Sequence, residues 1–287
     1  MADTIRFRWQ DADVTVGMSQ AGSGRSVVLL PALSSISTRG EMQPLLERLA
    51  PSCCVTSLDW PGFGDLPRPR VDWTPDLLSA FLNWVLDEVL TPPHAVVAAG
   101  HAGTYALYQA VHHPATIEDL VLIAPTWRGP LPTMMGGQRS WFARVRGAVD
   151  NPLIGPSLYR LNVSRPVIRR MAREHVYDDP EWLSGERMAA KRAVTRAAGA
   201  RHASVRFVSG ALDRVGSREA FLDLAQRVEV PILMVYGSAA PRRSRAEMAA
   251  LGELPNVDVR QLPAGKLAVH EEYPEEVATA VASHLSG

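Results

Sequence analysis

A handful of side chains in this chain could do chemistry, and their types and spacing say which. Nucleophilic catalysis needs a hydroxyl or thiol, a base within hydrogen-bond reach and a carboxylate that orients the base. Hydroxyls cluster at Ser34, Ser35, Ser37 and Thr38, just after the apolar run Ser26-Val-Val-Leu-Leu-Pro31. Hydroxyls at such a place commonly cap the following helix. His101 lies in Gly100-His101-Ala102-Gly103-Thr104, between an apolar run and a helical pattern. His270 lies near the C-terminus, three residues after Leu267, and reads as a residue near the surface at the start of the last helix. Asp213, in Ser209-Gly210-Ala211-Leu212-Asp213, reads as a turn residue. Lys266 is a lone amine that could meet an anion or stay in water. Trp127 and Arg128 follow an apolar strand at its C-terminal end, the edge at which open α/β sheets bind ligands. An aromatic and a guanidinium there could clamp an acidic or planar ligand, or simply pack. His175, Asp178 and Asp179 are spaced too loosely for a metal site and read as a solvated loop.

These groups sit in a chain of 287 residues, 46% hydrophobic and 21% charged, long enough for one large α/β domain with an insertion. Thirty basic and thirty acidic residues cancel, which argues against a general nucleic-acid binder. No apolar run is long enough to span a membrane, and Met1 to Gln10 has no apolar signal-like core. The only cysteines, Cys53 and Cys54, are adjacent on a strand and point to opposite faces, so no disulfide is expected. The compartment expected is the cytoplasm. The zero net charge hides a split. Residues 126–215 hold 16 basic and 7 acidic residues, while the remainder holds 14 basic and 23 acidic. Either the two parts neutralise each other on packing, or the middle presents a basic surface to an anionic ligand, membrane or partner.

The elements that must position these residues follow from periodicity. Ile5 to Gln10 and Val14 to Ser19 alternate about Asp11-Ala12-Asp13 and predict a hairpin. The short continuous apolar run at 26–31 predicts a buried parallel strand, with further strands at 53–58, 95–99, 120–124, 231–236 and 257–262. Helices are predicted at 41–49, from Thr74-Pro75-Asp76 to Val89, at 102–112, at 245–251 and at 271–284. Thr74 is placed to cap, with Pro75 in the first turn. From 126 to 215 arginine-rich helical stretches interrupt the rhythm. The pattern predicts an α/β core over 1–125 and 216–287 with a helical cap over 126–215.

With that order of motifs the chain resembles the α/β-hydrolase family. Leu29-Leu30-Pro31-Ala32-Leu33 is similar to the family's oxyanion-loop strand, and Asp59-Trp60-Pro61-Gly62-Phe63-Gly64 to its following strand-turn. Gly100-His101-Ala102-Gly103-Thr104 resembles the nucleophile elbow, Gly237 the start of the acid loop, and Glu272-Tyr273-Pro274-Glu275-Glu276-Val277 the opening of the final helix. The resemblance implies a mostly parallel sheet flanked by helices, with a cap. It also implies a Ser, an Asp and a His at set positions. Here those positions read Ala102, Ala240 and Leu267. The backbone donors of the oxyanion hole would be Leu33 and Gly103. His270 is then the candidate for a relocated base, and Leu33, Gly103, Trp127, Arg128 and Lys266 for ligand contacts. The expected function is a non-hydrolytic pseudoenzyme that binds a small molecule or protein, an anionic one included, through its pocket or basic cap. The alternative is a hydrolase, lyase or isomerase of unorthodox mechanism that uses the oxyanion hole and a relocated base. No cofactor, metal, nucleic acid or transmembrane segment is implied.

Overall fold

The computed structural model describes residues 2–286. In chain order the elements are β1 (Ala2–Trp9), β2 (Ala12–Ala21), β3 (Arg25–Leu30), α1 (Gln43–Leu49), β4 (Cys53–Leu58), α2 (Pro75–Trp84), β5 (His94–Ala99), α3 (Ala102–His112) and β6 (Ile117–Ile123). A helical stretch follows: α4 (Pro130–Met135), α5 (Phe142–Asp150), α6 (Gly155–Asn162), α7 (Arg165–Met171), α8 (Gly185–Arg196), α9 (Ala200–Val208) and α10 (Arg218–Gln226). The chain closes with β7 (Ile232–Gly237), α11 (Arg242–Leu251), β8 (Val257–Leu262), α12 (Val269–Glu272) and α13 (Pro274–Leu285).

The strands form one eight-stranded sheet in the order β1-β2-β4-β3-β5-β6-β7-β8. The β1–β2 hairpin is antiparallel, β2 joins β4 antiparallel, and every later pairing is parallel. β5 and β7 are buried along their whole length, as strands covered by helices on both faces must be. Two apolar clusters follow from this, one on each face. One gathers Phe7, Trp60, Trp73, Phe81, Tyr105 and Phe221. The other gathers Val27, Leu45, Val97, Val121 and Val281.

α2 starts where its sequence says it should. The Thr74 hydroxyl accepts the Leu77 N–H at 3.2 Å, Pro75 opens the helix, and Leu77, Leu78, Phe81 and Leu82 bury one face. Thr74→Ala should cost about 1 kcal/mol, read as a lower urea midpoint with an unchanged slope. Two local readings change. The hairpin turn is Gln10-Asp11, with Gln10 at φ 52°, one residue earlier than the Asp-Ala-Asp spelling suggests. The last helix is two pieces, because the chain turns out of helical geometry at Tyr273 (φ −125°) before Pro274 opens α13.

Candidate active site

The C-terminal edge of the parallel strands carries the loops that the sequence singles out. After β3 the chain passes through Pro31, Ala32 and Leu33 into the hydroxyl-rich loop. Asp59, just past β4, holds that loop down: its carboxylate accepts from the Thr38 hydroxyl at 2.8 Å and the Arg39 N–H at 2.6 Å, and pairs with the Arg39 guanidinium. The loop's other hydroxyls are engaged too. Ser34 Oγ accepts the Ile36 N–H, Ser35 meets Ser204, and Ser37 hydrogen-bonds Glu41.

Between β5 and α3 the residue in the left-handed region is Gly100, at φ 54°. Its N–H donates to the Ile123 carbonyl at 2.8 Å, and its carbonyl accepts from Gly103 (3.2 Å) and Thr126 (3.1 Å). A Cβ on Gly100 would lie 3.2 Å from the Ala32 Cβ, so this position faces the loop after β3. Ala102 is already the first residue of α3 and has no solvent contact. The Gly103 N–H is spent inside the turn. The Thr104 hydroxyl is buried and donates to the Thr126 carbonyl at 3.2 Å. The strained strand-to-helix turn therefore centres two residues before Ala102. The spelling Ala98-Ala99-Gly100-His101-Ala102, with small residues two places either side of Gly100, is the signal that sequence reading passed over. Ala240 is buried in a turn after β7, where its N–H donates to the Gly237 carbonyl at 3.1 Å. Leu267 is half-buried against the first apolar cluster, its N–H aimed at the His175 carbonyl.

His101 and Asp213 meet beside Gly100, which the sequence did not show. His101 Nε2 lies 3.3 Å from the Leu212 carbonyl oxygen and 3.4 Å from Asp213 Oδ1. Asp213 accepts the Gly129 N–H at 2.9 Å. Burial pushes the His101 imidazole down to about 4 and the Asp213 carboxyl up to about 7. The turn reading of Asp213 stands, with this contact added to it.

His270 is not near the surface: it is 1% exposed, and among the described residues neither ring nitrogen has a hydrogen-bond partner. It belongs to a buried cluster where α8 of the helical stretch meets α12 and the loop after β3. The Lys191 ammonium on α8 hydrogen-bonds Glu41 and, at 3.1 Å, Glu271. Tyr177 donates to Glu271 at 2.7 Å. The side-chain ligand atoms of Glu41, His270 and Glu271 lie within 4.8 Å of one another, as a set that holds a cation does. The cation present is Lys191. Burial would lower its pKa, but the two carboxylates outweigh burial and raise it. Burial pushes Glu41 up to about 8 against the pull of Lys191, and Glu271 adds to the rise. Burial lowers His270 to about 4.

The remaining candidates are scattered. Trp127 is buried and its indole N–H donates to Glu247 at 3.3 Å, with the Arg128 guanidinium 4.6 Å from its ring centroid. The recess they line with Pro125, Thr133 and Arg243 holds only about 40 Å³, too little for most organic ligands. Lys266 donates to the Arg173 carbonyl at 2.6 Å, a seam contact and not an open anion site. His175, Asp178 and Asp179 do not converge: Asp178 accepts the Gly265 N–H, while the N–H groups of Asp178 and Asp179 donate to Glu272. Cys53 is buried and Cys54 half-buried, both as free thiols. Arg165, Pro166, Arg169, Arg170, Arg173 and Glu174 line an open groove of about 650 Å³. Arg170 and Arg173 pair with Glu174 and Glu181 of the same helical stretch. Lys191, Arg206 and Arg214 do reach across, to Glu41 and Glu271, to Asp72, and to Asp76. Among the described residues no helix is long and apolar enough to cross a membrane.

Comparison with known proteins agrees with this architecture. A sequence model of the alpha/beta hydrolase family matches residues 27–280. No curated protein matches the chain. Among solved structures, a thermophilic esterase from Thermogutta terrifontis is similar at 18% identity and TM-score 0.75, over 100% of this chain and 98% of its own. The haloalkane dehalogenase DatA from Agrobacterium tumefaciens C58 is similar at 15% identity and TM-score 0.74, over 99% and 96%. An enol-lactonase from Burkholderia xenovorans LB400 is similar at 16% identity and TM-score 0.70, over 96% and 97%. At these identities the likeness is one of fold.

Proposed function

The chain belongs to the alpha/beta hydrolase family, and from that premise we propose that it is a non-hydrolytic member, a binding protein built on a hydrolase frame. One observation carries the reading. From Ala98 to Gly103, the turn between β5 and α3 offers no hydroxyl, thiol or carboxylate. The conclusion is independent of register: if the elbow is Ala102 the nucleophile is a methyl group, and if it is Gly100, as its positive φ suggests, there is no side chain at all. The acid and base positions, Ala240 and Leu267, are apolar as well. His270 does not serve as a relocated base, because it is sealed in the Lys191 cluster with no hydroxyl partner among the described residues and burial lowers its imidazole to about 4. With the recess beside Trp127 holding only about 40 Å³, our reading gives the ligand or partner surface to the basic cap over residues 126–215.

A second reading rests on His101 and Asp213. An imidazole beside a carboxyl pushed up to about 7 is acid–base equipment, and it would serve a lyase or isomerase. Both groups are shielded from solvent, and among the described residues neither has a hydroxyl within hydrogen-bond distance.

The experiment is hydrolysis of p-nitrophenyl acetate together with labelling by a serine-directed fluorophosphonate. The expected outcome is no label and a rate no more than about 10³–10⁴ above water. Ala102→Ser and Gly100→Ser should each stay inside that bound, because a serine without a base keeps its proton. Esterase-like turnover with phosphonate labelling of the wild-type chain would overturn the proposal. A large gain in either variant would show that a base is already aimed at the elbow, with His101 the first suspect.

A further inference from the structure

Eight large apolar side chains are exposed among the described residues, and seven of them fall between residues 134 and 161: Met134, Met135, Trp141, Leu153, Ile154, Leu158 and Leu161. Leu153 is 85% exposed and Leu161 69%. Ile154, Leu158 and Leu161 are spaced i, i+4, i+7 and so share one face at and along α6. A soluble surface scatters such residues singly; a run of them on adjoining helices marks an interaction site.

The charges around this face are mostly basic, and the nearby Glu174 and Glu181 are taken up by Arg170 and Arg173. Residues 134–173 contain eight arginines and a single carboxylate, Asp150. Asp150 is turned inward, accepting from His202 Nδ1 at 2.5 Å and from the Arg206 guanidinium at 2.9 Å. Arg144 on α5, Arg160 on α6, and Arg165 and Arg169 on α7 are exposed and make no ion pair among the described residues. α5 packs on α6, and α6 on α7, so the leucines and the free guanidinium groups belong to one continuous surface.

We propose that this outer face of the helical insertion docks on an anionic lipid bilayer, with the α6 leucines entering the headgroup–acyl boundary and the arginines meeting lipid phosphates. The proposal stands apart from whether the chain hydrolyses anything. Amphipathic interfacial helices have this composition: aliphatic and tryptophan side chains on one face, arginine beside them and few carboxylates. Arginine stems also lie along apolar surface while the head reaches a phosphate. Two other occupants fit less well. A second copy of the same face would bring like charges together. A protein interface usually alternates charge signs and buries its anchors in concave pockets, whereas the most exposed leucines here project into solvent.

The test is flotation of the full chain with phosphatidylcholine vesicles, with and without one-third phosphatidylglycerol. Binding is expected to the anionic vesicles and to fall as salt is added. Leu158→Glu and Leu161→Glu should each weaken binding by about tenfold. Arg160→Glu and Arg165→Glu should each weaken it roughly fivefold or more. Val259→Glu replaces the eighth exposed apolar residue, far along the sequence on β8, and should leave binding unchanged. Thermal melts confirm that each variant folds. No binding of the wild-type chain to anionic vesicles, or binding that survives the leucine changes, overturns the proposal. So does a dimer in solution that falls apart on Leu161→Glu, because the face would then be a protein interface.

Discussion

Lys191→Met should destabilise the protein by about 3–5 kcal/mol, the usual cost of removing one partner from a buried ion cluster. Lys191 lies on α8, and among the described residues it is the one cation hydrogen-bonded to both Glu41 and Glu271. All three residues are largely sealed from water. Methionine keeps the length and apolar bulk of the stem, so the loss reports charge and not volume. Without the ammonium, the Glu41 carboxyl, already pushed up to about 8, is pushed higher. A carboxyl whose folded pKa exceeds its unfolded value contributes stability that is full below the unfolded value, 4.5, and lost as pH rises through the folded one. The variant should therefore recover relative stability in mild acid. Glu41→Gln in the wild-type background should cost less than Lys191→Met near neutral pH, because burial already favours the neutral carboxyl and Glu271 still pairs with the ammonium. Urea melts of the two variants at pH 5 and pH 8 check both statements. A Lys191→Met loss below about 1 kcal/mol would show that the cluster is hydrated, not dry.

The sheet was legible because its signal is local. Runs such as Ala95 to Ala99 and Pro231 to Tyr236 are apolar throughout, and only a strand covered on both faces needs that. The elbow was half legible. Gly100-His101-Ala102-Gly103-Thr104 can be read in two registers, and which residue takes the positive φ depends on where β5 stops. That point is set by pairing to β6, through Ala99 against Ile123 and the Gly100 N–H on the Ile123 carbonyl, and the small residues either side of Gly100 hint at it without deciding it. Charge counts over residues 126–215 mixed two populations. Lys191, Arg206 and Arg214 neutralise carboxylates outside the insertion, while Arg165 and Arg169 face water. A count cannot separate them, because the partners of Lys191 lie 150 and 80 positions away. His270 was misplaced for a related reason. The sequence promised one long terminal helix starting near the surface, whereas the break at Tyr273 leaves α12 as a short turn with Val269 and His270 buried.

That misplacement has a measurable consequence. His270 is buried with both ring nitrogens unpaired, and burial lowers its imidazole from 6.5 to about 4, with the Lys191 ammonium adding to the fall against the pull of Glu271. An imidazole whose folded pKa lies below its unfolded value contributes stability that is complete above the unfolded value and lost as pH falls. The window runs from about 6.5 down to about 4, and the size is about 3 kcal/mol. The opposite slope of Glu41 covers part of the same range, so the pH curve of the wild-type chain alone cannot isolate the histidine. The difference between wild type and His270→Gln removes the slope Glu41 has in both proteins and leaves the imidazole together with its coupling to Glu41, which lies within 4.8 Å. Glutamine keeps polar atoms near the ring positions but cannot take up a proton. The two proteins should differ little at pH 7.5. As pH falls to 4, the variant should gain on the wild type by about 3 kcal/mol. A flat difference curve would mean that the imidazole already has a carboxylate or water partner that keeps its charged form as stable as in the unfolded chain. A curve that falls where this one should rise would mean that protonated His270 is held by Glu41 and Glu271 as a second cation beside Lys191.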